Sequence, residues 1–80
     1  MNAVEFTEFL VKELVEKDDL VSVKEFEEDE FRVIQVLVSN DDMSKVIGKD
    51  GNTINAIRTL VQSACYLNND KKVKINVDSF

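Results

Sequence analysis

This 80-residue chain contains only two glycines, and both lie within four positions, in Val46-Ile47-Gly48-Lys49-Asp50-Gly51-Asn52-Thr53-Ile54. Average usage would spread about five or six glycines along a chain of this length. Glycine confined to one place has a backbone task there. It admits positive φ, and its missing side chain lets another backbone or a phosphate come close. The run leads directly into a segment with helical periodicity, whose first N–H groups and dipole favour an anion. Lys49 projects from the loop and adds a cation, and Lys45 stands one helical turn before it. The chemistry that this spacing serves is non-covalent capture of phosphate.

No other constellation offers chemistry. The chain has no histidine, tryptophan or proline and one cysteine. A disulfide framework, a Cys/His zinc site and a histidine-based triad are therefore excluded. The glycine loop lacks the Gly-Lys-Ser/Thr ending of a nucleotide phosphate loop. The carboxylates are many but not clustered for a metal. Neither an enzyme nor a bound cofactor is expected.

The elements that must position the loop follow from periodicity. Ala3 to about Lys17 carries Phe6, Phe9, Leu10 and Leu14, with Val4, Val11 and Val15 on an overlapping stripe. This predicts a helix with a broad apolar face, opened by a capping box of Asn2 and Glu5. Leu20–Glu27 and Phe31–Ser39 are rich in β-branched residues and predict a strand hairpin joined by the polar Glu27-Glu28-Asp29-Glu30. Asp41–Ile47 predicts a short helix, with Asp41 and Asp42 at its positive end. Asn52 to about Leu67 places Ile54, Ile57, Leu60, Val61, Ala64 and Cys65 on one stripe, with Asn68-Asn69 available to end the helix. Cys65 on that stripe reads as a buried structural thiol. Lys72–Asp78 alternates strictly and predicts a half-buried strand. The sum is an α+β domain, α-β-β-α-α-β, its helices packed on one face of a three-stranded sheet.

Length and composition set the outer bounds. Eighty residues with 44% hydrophobic side chains make one domain, spanning 1–80, of modest stability. The longest apolar stretch, Val33–Val38, is too short for a membrane span and is interrupted by Gln35. Glu5 and Glu8 stand where a secretory signal would be basic and then apolar, so a cytoplasmic protein is expected. The net charge is −6, yet residues 1–40 carry −7 and residues 41–80 carry +1. Between Met43 and Lys74 the balance is +4. An acidic chain of this kind can still present one positive face.

The run Ile47-Gly48-Lys49-Asp50-Gly51-Asn52-Thr53-Ile54 resembles the I-G-x-x-G-x-x-I signature of the KH domain, which clamps four nucleotides of single-stranded nucleic acid with its GXXG loop. The element order resembles the type II arrangement. The whole chain is similar to the small bacterial single-KH-domain RNA-binding family, the KhpA/YlqC-like proteins. The part most similar runs from Lys45-Val46-Ile47-Gly48-Lys49 to Ala56-Ile57-Arg58-Thr59-Leu60. A helix–turn–helix hairpin would account for the glycines but not for the basic residues around them.

The resemblance implies that Gly48 and Gly51 admit the sugar–phosphate backbone while Lys49 and Lys45 face phosphate. Val46, Ile47 and Ile54 would wall an apolar groove for the bases, with Ile57 more simply core and Arg58 a weaker contact. Asp50 and Asn52 depart from a favourable loop. One adds a carboxylate, and the other is polar where a base would help. Few phosphate contacts and a shallow salt dependence are expected. The resemblance further implies a homodimer, or a heterodimer with a second KH-containing protein of the KhpB/Jag type, in an RNA chaperone or post-transcriptional regulator. The competing reading is a KH-shaped protein–protein interaction module with little RNA affinity, favoured by Asp50 and the acidic total. A substitution Gly48→Asp should place a charge where phosphate approaches.

Overall fold

A computed structural model describes residues 2–67 and 72–80. In chain order the elements are α1 (Ala3–Leu14), β1 (Ser22–Glu27), β2 (Phe31–Val38), α2 (Met43–Ile47), α3 (Asn52–Leu67) and β3 (Lys72–Ser79), with single 3-10 turns before β1, α2 and α3. The expected order is present. The Asn68-Asn69 helix end lies outside the described residues.

The sheet runs β1-β2-β3. β1 and β2 form an antiparallel hairpin pairing Ser22 with Leu37 through Glu27 with Arg32. β3 lies parallel to β2, pairing Phe31 with Lys72 through Val38 with Ser79. Register assigns the faces. Ile34, Val36, Val38 and Ile75 are buried with Val46, Ile54, Ile57, Val61 and Cys65 in one core beneath the helices. Each fully buried aliphatic side chain contributes about 1.5–3 kcal/mol of gross transfer free energy. The alternate residues of each strand stand on the opposite, helix-free face.

α1 differs from expectation in two respects. Its buried line is Ala3, Thr7 and Val11, whereas Phe9 is 51% exposed and Leu14 is also exposed. Thr7 fits a core position because its hydroxyl donates to the Ala3 carbonyl at 2.8 Å, which removes the cost of burying it. The helix also ends at Leu14 rather than Lys17. The N–H groups of Glu16 and Lys17, which a longer helix would bond one turn back, donate instead to the buried carboxylate of Asp42 at 3.2 and 3.0 Å. Asp42 therefore makes no side-chain cap on α2. It ties the end of α1 to the start of α2. The expected capping box does form, with Glu5 N–H donating to Asn2 Oδ1 at 2.8 Å and Asn2 N–H donating to Glu5 Oε1 at 3.4 Å.

Candidate nucleic-acid interface

The glycine loop is a tight turn closed on itself. Gly51 N–H donates to the Gly48 carbonyl at 3.2 Å, and Asn52 N–H donates to the Lys49 carbonyl. Three of its residues have positive φ: Gly48 at 77°, Asp50 at 57° and Gly51 at 75°. Gly48 combines that φ with ψ 174°, a region that only glycine populates readily. A Cβ at Gly48 would also lie 2.7 Å from the Thr53 Cβ and 2.9 Å from its backbone nitrogen. Gly48 is thus needed for the loop to pack on the first turn of α3. At Gly51 a Cβ would find only the Asn55 amide at 3.8 Å. That glycine is the one whose bareness faces open space.

Asp50 has a backbone reason as well as a charge. Its φ and ψ of 57° and 23° are left-handed, and Asn and Asp are the non-glycine residues that visit this region most readily. Lys49 and Asp50 are both exposed at the tip of the turn.

The two loop-side lysines are not equivalent. Lys45 Nζ lies 2.8 Å from Glu16 Oε1 and 3.4 Å from Asp42 Oδ1. The hydrogen bond that Lys45 donates to Glu16, helped by Asp42 and opposed by desolvation, holds the Lys45 ammonium above the usual lysine range. Lys49 has no carboxylate within ion-pair distance among the described residues. In this conformation Lys49 supplies the loop's uncompensated charge, and Lys45 serves the α1–α2 junction.

The wall residues also divide. Val46, Ile54 and Ile57 lie in the core, while Ile47 is half-buried against it. Asn52 is exposed at the start of α3. Arg58 is drawn away from the loop: its Nε and Nη2 donate to the Ile75 carbonyl at 3.3 and 3.0 Å, and Nη1 donates to Asn55 Oδ1 at 3.1 Å. One turn on, Gln62 Oε1 accepts from the Val73 N–H at 3.0 Å. Two outward backbone groups of the edge strand β3 are therefore satisfied by α3. Gln62 was not among the RNA-contacting residues expected from sequence, although its place four residues after Arg58 puts both on one helix face. Between α3 and β3 an open depression is lined by Arg58, Gln62, Tyr66, Leu67 and Lys72 among others. Tyr66 is 78% exposed.

The arrangement offers an exposed cation and an open glycine at the N-terminus of a 16-residue helix, with a shallow depression further along that helix, from Arg58 to Leu67, against an edge strand. The loop can hold an anion by charge and helix dipole. Among the described residues no group of three His, Cys, Asp or Glu side chains is placed to hold a metal, and no helix is long and apolar enough to cross a membrane.

Comparison with known proteins gives one answer. The family model for the KhpA/KhpB KH domain matches residues 4–77. RNA-binding protein KhpA of Borreliella burgdorferi is 36% identical over 76 residues, covering 95% of this chain and 92% of that protein. RNA-binding protein KhpA of Clostridium perfringens is 42% identical over 69 residues, covering 86% and 92%. Among solved structures, Era in complex with MgGDPNP and nucleotides 1506–1542 of 16S ribosomal RNA superposes with a TM-score of 0.70 at 20% identity. Aquifex aeolicus Era bound to GDP and AlF4 gives 0.69, also at 20% identity. Each likeness covers 96% of this chain but 29% of the Era chain, and it concerns the fold alone.

Proposed function

The chain belongs to the KhpA/KhpB KH-domain family, a non-enzymatic one, and from that premise we propose that it binds short single-stranded RNA through its GKDG loop. The observation that carries this reading is the pair formed by exposed Lys49 and open Gly51, set at the N-terminus of α3 by a turn whose shape Gly48 fixes. Phosphate sits against Lys49 and Gly51, and the bases lie along the cleft between α3 and β3. Lys45 joins them only on leaving its carboxylates, so phosphate contacts are few and the salt slope is shallow. A domain with one weak site gains from pairing. We place it as a homodimer, or a heterodimer with a KhpB/Jag-like protein, acting in the cytoplasm as an RNA chaperone or post-transcriptional regulator.

Fluorescence anisotropy of short single-stranded RNAs at low and moderate salt tests the site. Asp50→Asn keeps a residue that tolerates left-handed φ and removes one negative charge beside the phosphate. It should tighten binding roughly two- to fivefold at low salt, with the gain shrinking as salt rises. Unchanged affinity at low salt would place the RNA elsewhere.

The exposed flank of α3 supports the pairing. Leu60 is 50% exposed, on the flank of α3 turned away from Arg58 and Gln62. Leu60→Lys should shift sedimentation toward the monomer, and an unchanged mass would remove this face from the interface. The competing reading, an interaction module with little RNA affinity, is favoured by the neutralisation of Lys45. Absence of RNA binding by the unaltered protein, together with an intact dimer, would select it.

A further inference from the structure

The helix-free face of the sheet has no role in the reading above. By register it presents Lys24 and Phe26 from β1, Phe31 and Val33 from β2, and Lys72 and Lys74 from β3. Phe26 stands directly opposite Val33, which makes Phe26 and Phe31 diagonal neighbours, within reach of one another across the strands. Phe26 is 56% exposed. The Lys74 ammonium lies 4.2 Å from the centroid of the Phe31 ring, so that ring already offers its π-face to a cation.

Charge on this face opposes the charge of the chain. Lys24, Lys72 and Lys74 are set against Asp78, which stands beside Leu37 at the far end. Glu25 and Glu27 fall on the helix side of β1, where Glu25 pairs with Arg32 at 2.9 Å. The acidic turn of Glu28, Asp29 and Glu30 bounds the platform at the hairpin end. A positive face on a chain of net charge −6 selects a polyanion. The apolar part is also too small for a protein core. Val33 is only 9% exposed and Leu37 at the far end is half-buried, leaving two rings and part of a leucine rather than the roughly 800 Å² per partner of a standard protein interface.

We propose that this sheet face is a second single-stranded RNA surface, on which bases stack on Phe26 and Phe31 while Lys24, Lys72 and Lys74 meet phosphates. Aromatic rings between lysines form the usual sequence-tolerant platform for single strands. The two surfaces are continuous. Lys72 lines the α3–β3 depression and also stands opposite Phe31 on the sheet, so a strand leaving the cleft passes over the β3 edge onto the rings. There a phosphate draws Lys74 off Phe31 and frees that ring for a base. The proposal goes beyond the loop reading and rests on it only for where the strand comes from.

The test uses oligouridine probes of about four nucleotides, enough for the loop alone, and about twelve, enough for both surfaces. The variants are Phe26→Thr, which keeps β preference at an exposed position, Lys24→Gln with Lys74→Gln, and Gly51→Asp in the loop. The unaltered protein should bind the longer probe more tightly. The sheet variants should bind the short probe normally and lose roughly five- to tenfold on the longer one. Ultraviolet crosslinking of the longer probe should mark the peptide containing Phe26 and Phe31. Unaltered affinity of both sheet variants for the longer probe overturns the proposal, and if Gly51→Asp still abolishes short-probe binding the loop reading stands alone. A sheet variant that changes sedimentation mass but not RNA affinity also overturns it, because the face then holds a second copy. Failure of the unaltered protein to bind either probe overturns both readings.

Discussion

Gly48→Asp is expected to destabilise the domain severely, whereas Gly51→Asp leaves it folded and unable to hold RNA. The two glycines look interchangeable in sequence and are not so in space. At Gly48 the backbone is in a region that costs other residues about 1–3 kcal/mol. The new Cβ would also press into Thr53, and overpacking of that kind costs a further 1–3 kcal/mol or so. Together these approach the roughly 4–12 kcal/mol that a domain of this size has in all. The melting temperature should fall by roughly 15 °C or more, and Gly48→Ala should fall nearly as far, because shape rather than charge is at fault. Gly51→Asp pays only a left-handed φ that aspartate tolerates, about 1 kcal/mol, or roughly 4–8 °C. Its carboxylate then occupies the place of the phosphate. Thermal denaturation followed by circular dichroism, with anisotropy on whatever remains folded, separates the two. A Gly48→Asp variant that melts like the unaltered protein would show that the loop does not pack on α3 as described.

Asp42→Asn should lower the melting temperature at neutral pH by about 10 °C, and the deficit should close in acid. Asp42 is 1% exposed. Burial alone would push its carboxyl up, but the N–H groups of Lys17 and Glu16 and the Lys45 ammonium outweigh it and hold it below the ordinary carboxylate value. A carboxyl held low stabilises the fold above its ordinary value near pH 4 and loses that contribution as pH falls through the lowered one. The difference between the two proteins should therefore be constant from pH 7 to about 5 and shrink below about 4. Other carboxylates titrate in both proteins, so the difference is the quantity to read. An equal deficit at pH 3 and pH 7 would show that Asp42 acts through shape and not through charge.

Particular residues explain what the sequence disclosed and what it withheld. Glycine used twice and in one place marked the loop, and strict alternation in Lys72–Asp78 marked β3, because both are local requirements of backbone and pleat. The extent of α1 was hidden because its end is set by Asp42, 26 residues beyond Glu16. Phe9, part of the apolar face that periodicity predicts, is exposed for a different reason. A hydropathy stripe counts the apolar surface of phenylalanine but cannot see that Thr7 satisfies its own hydroxyl and takes the buried line. Arg58 and Lys45 carry formal charges that sequence places near the loop. Their partners, the Ile75 carbonyl and Glu16, are brought there by tertiary packing alone.

β3 pairs with β2 in parallel, Phe31 against Lys72, a contact spanning about half the chain. Such pairings close late in folding, because the entropy of a long loop must be overcome before they reward it. The glycine turn is local and can form early, yet β3, which bounds the depression beside α3, cannot. The site proposed for RNA would therefore be complete only once β3 has joined the sheet. Any RNA that spans turn and strand stabilises the completed fold by mass action, and refolding in its presence should shift the equilibrium in proportion to its concentration above Kd.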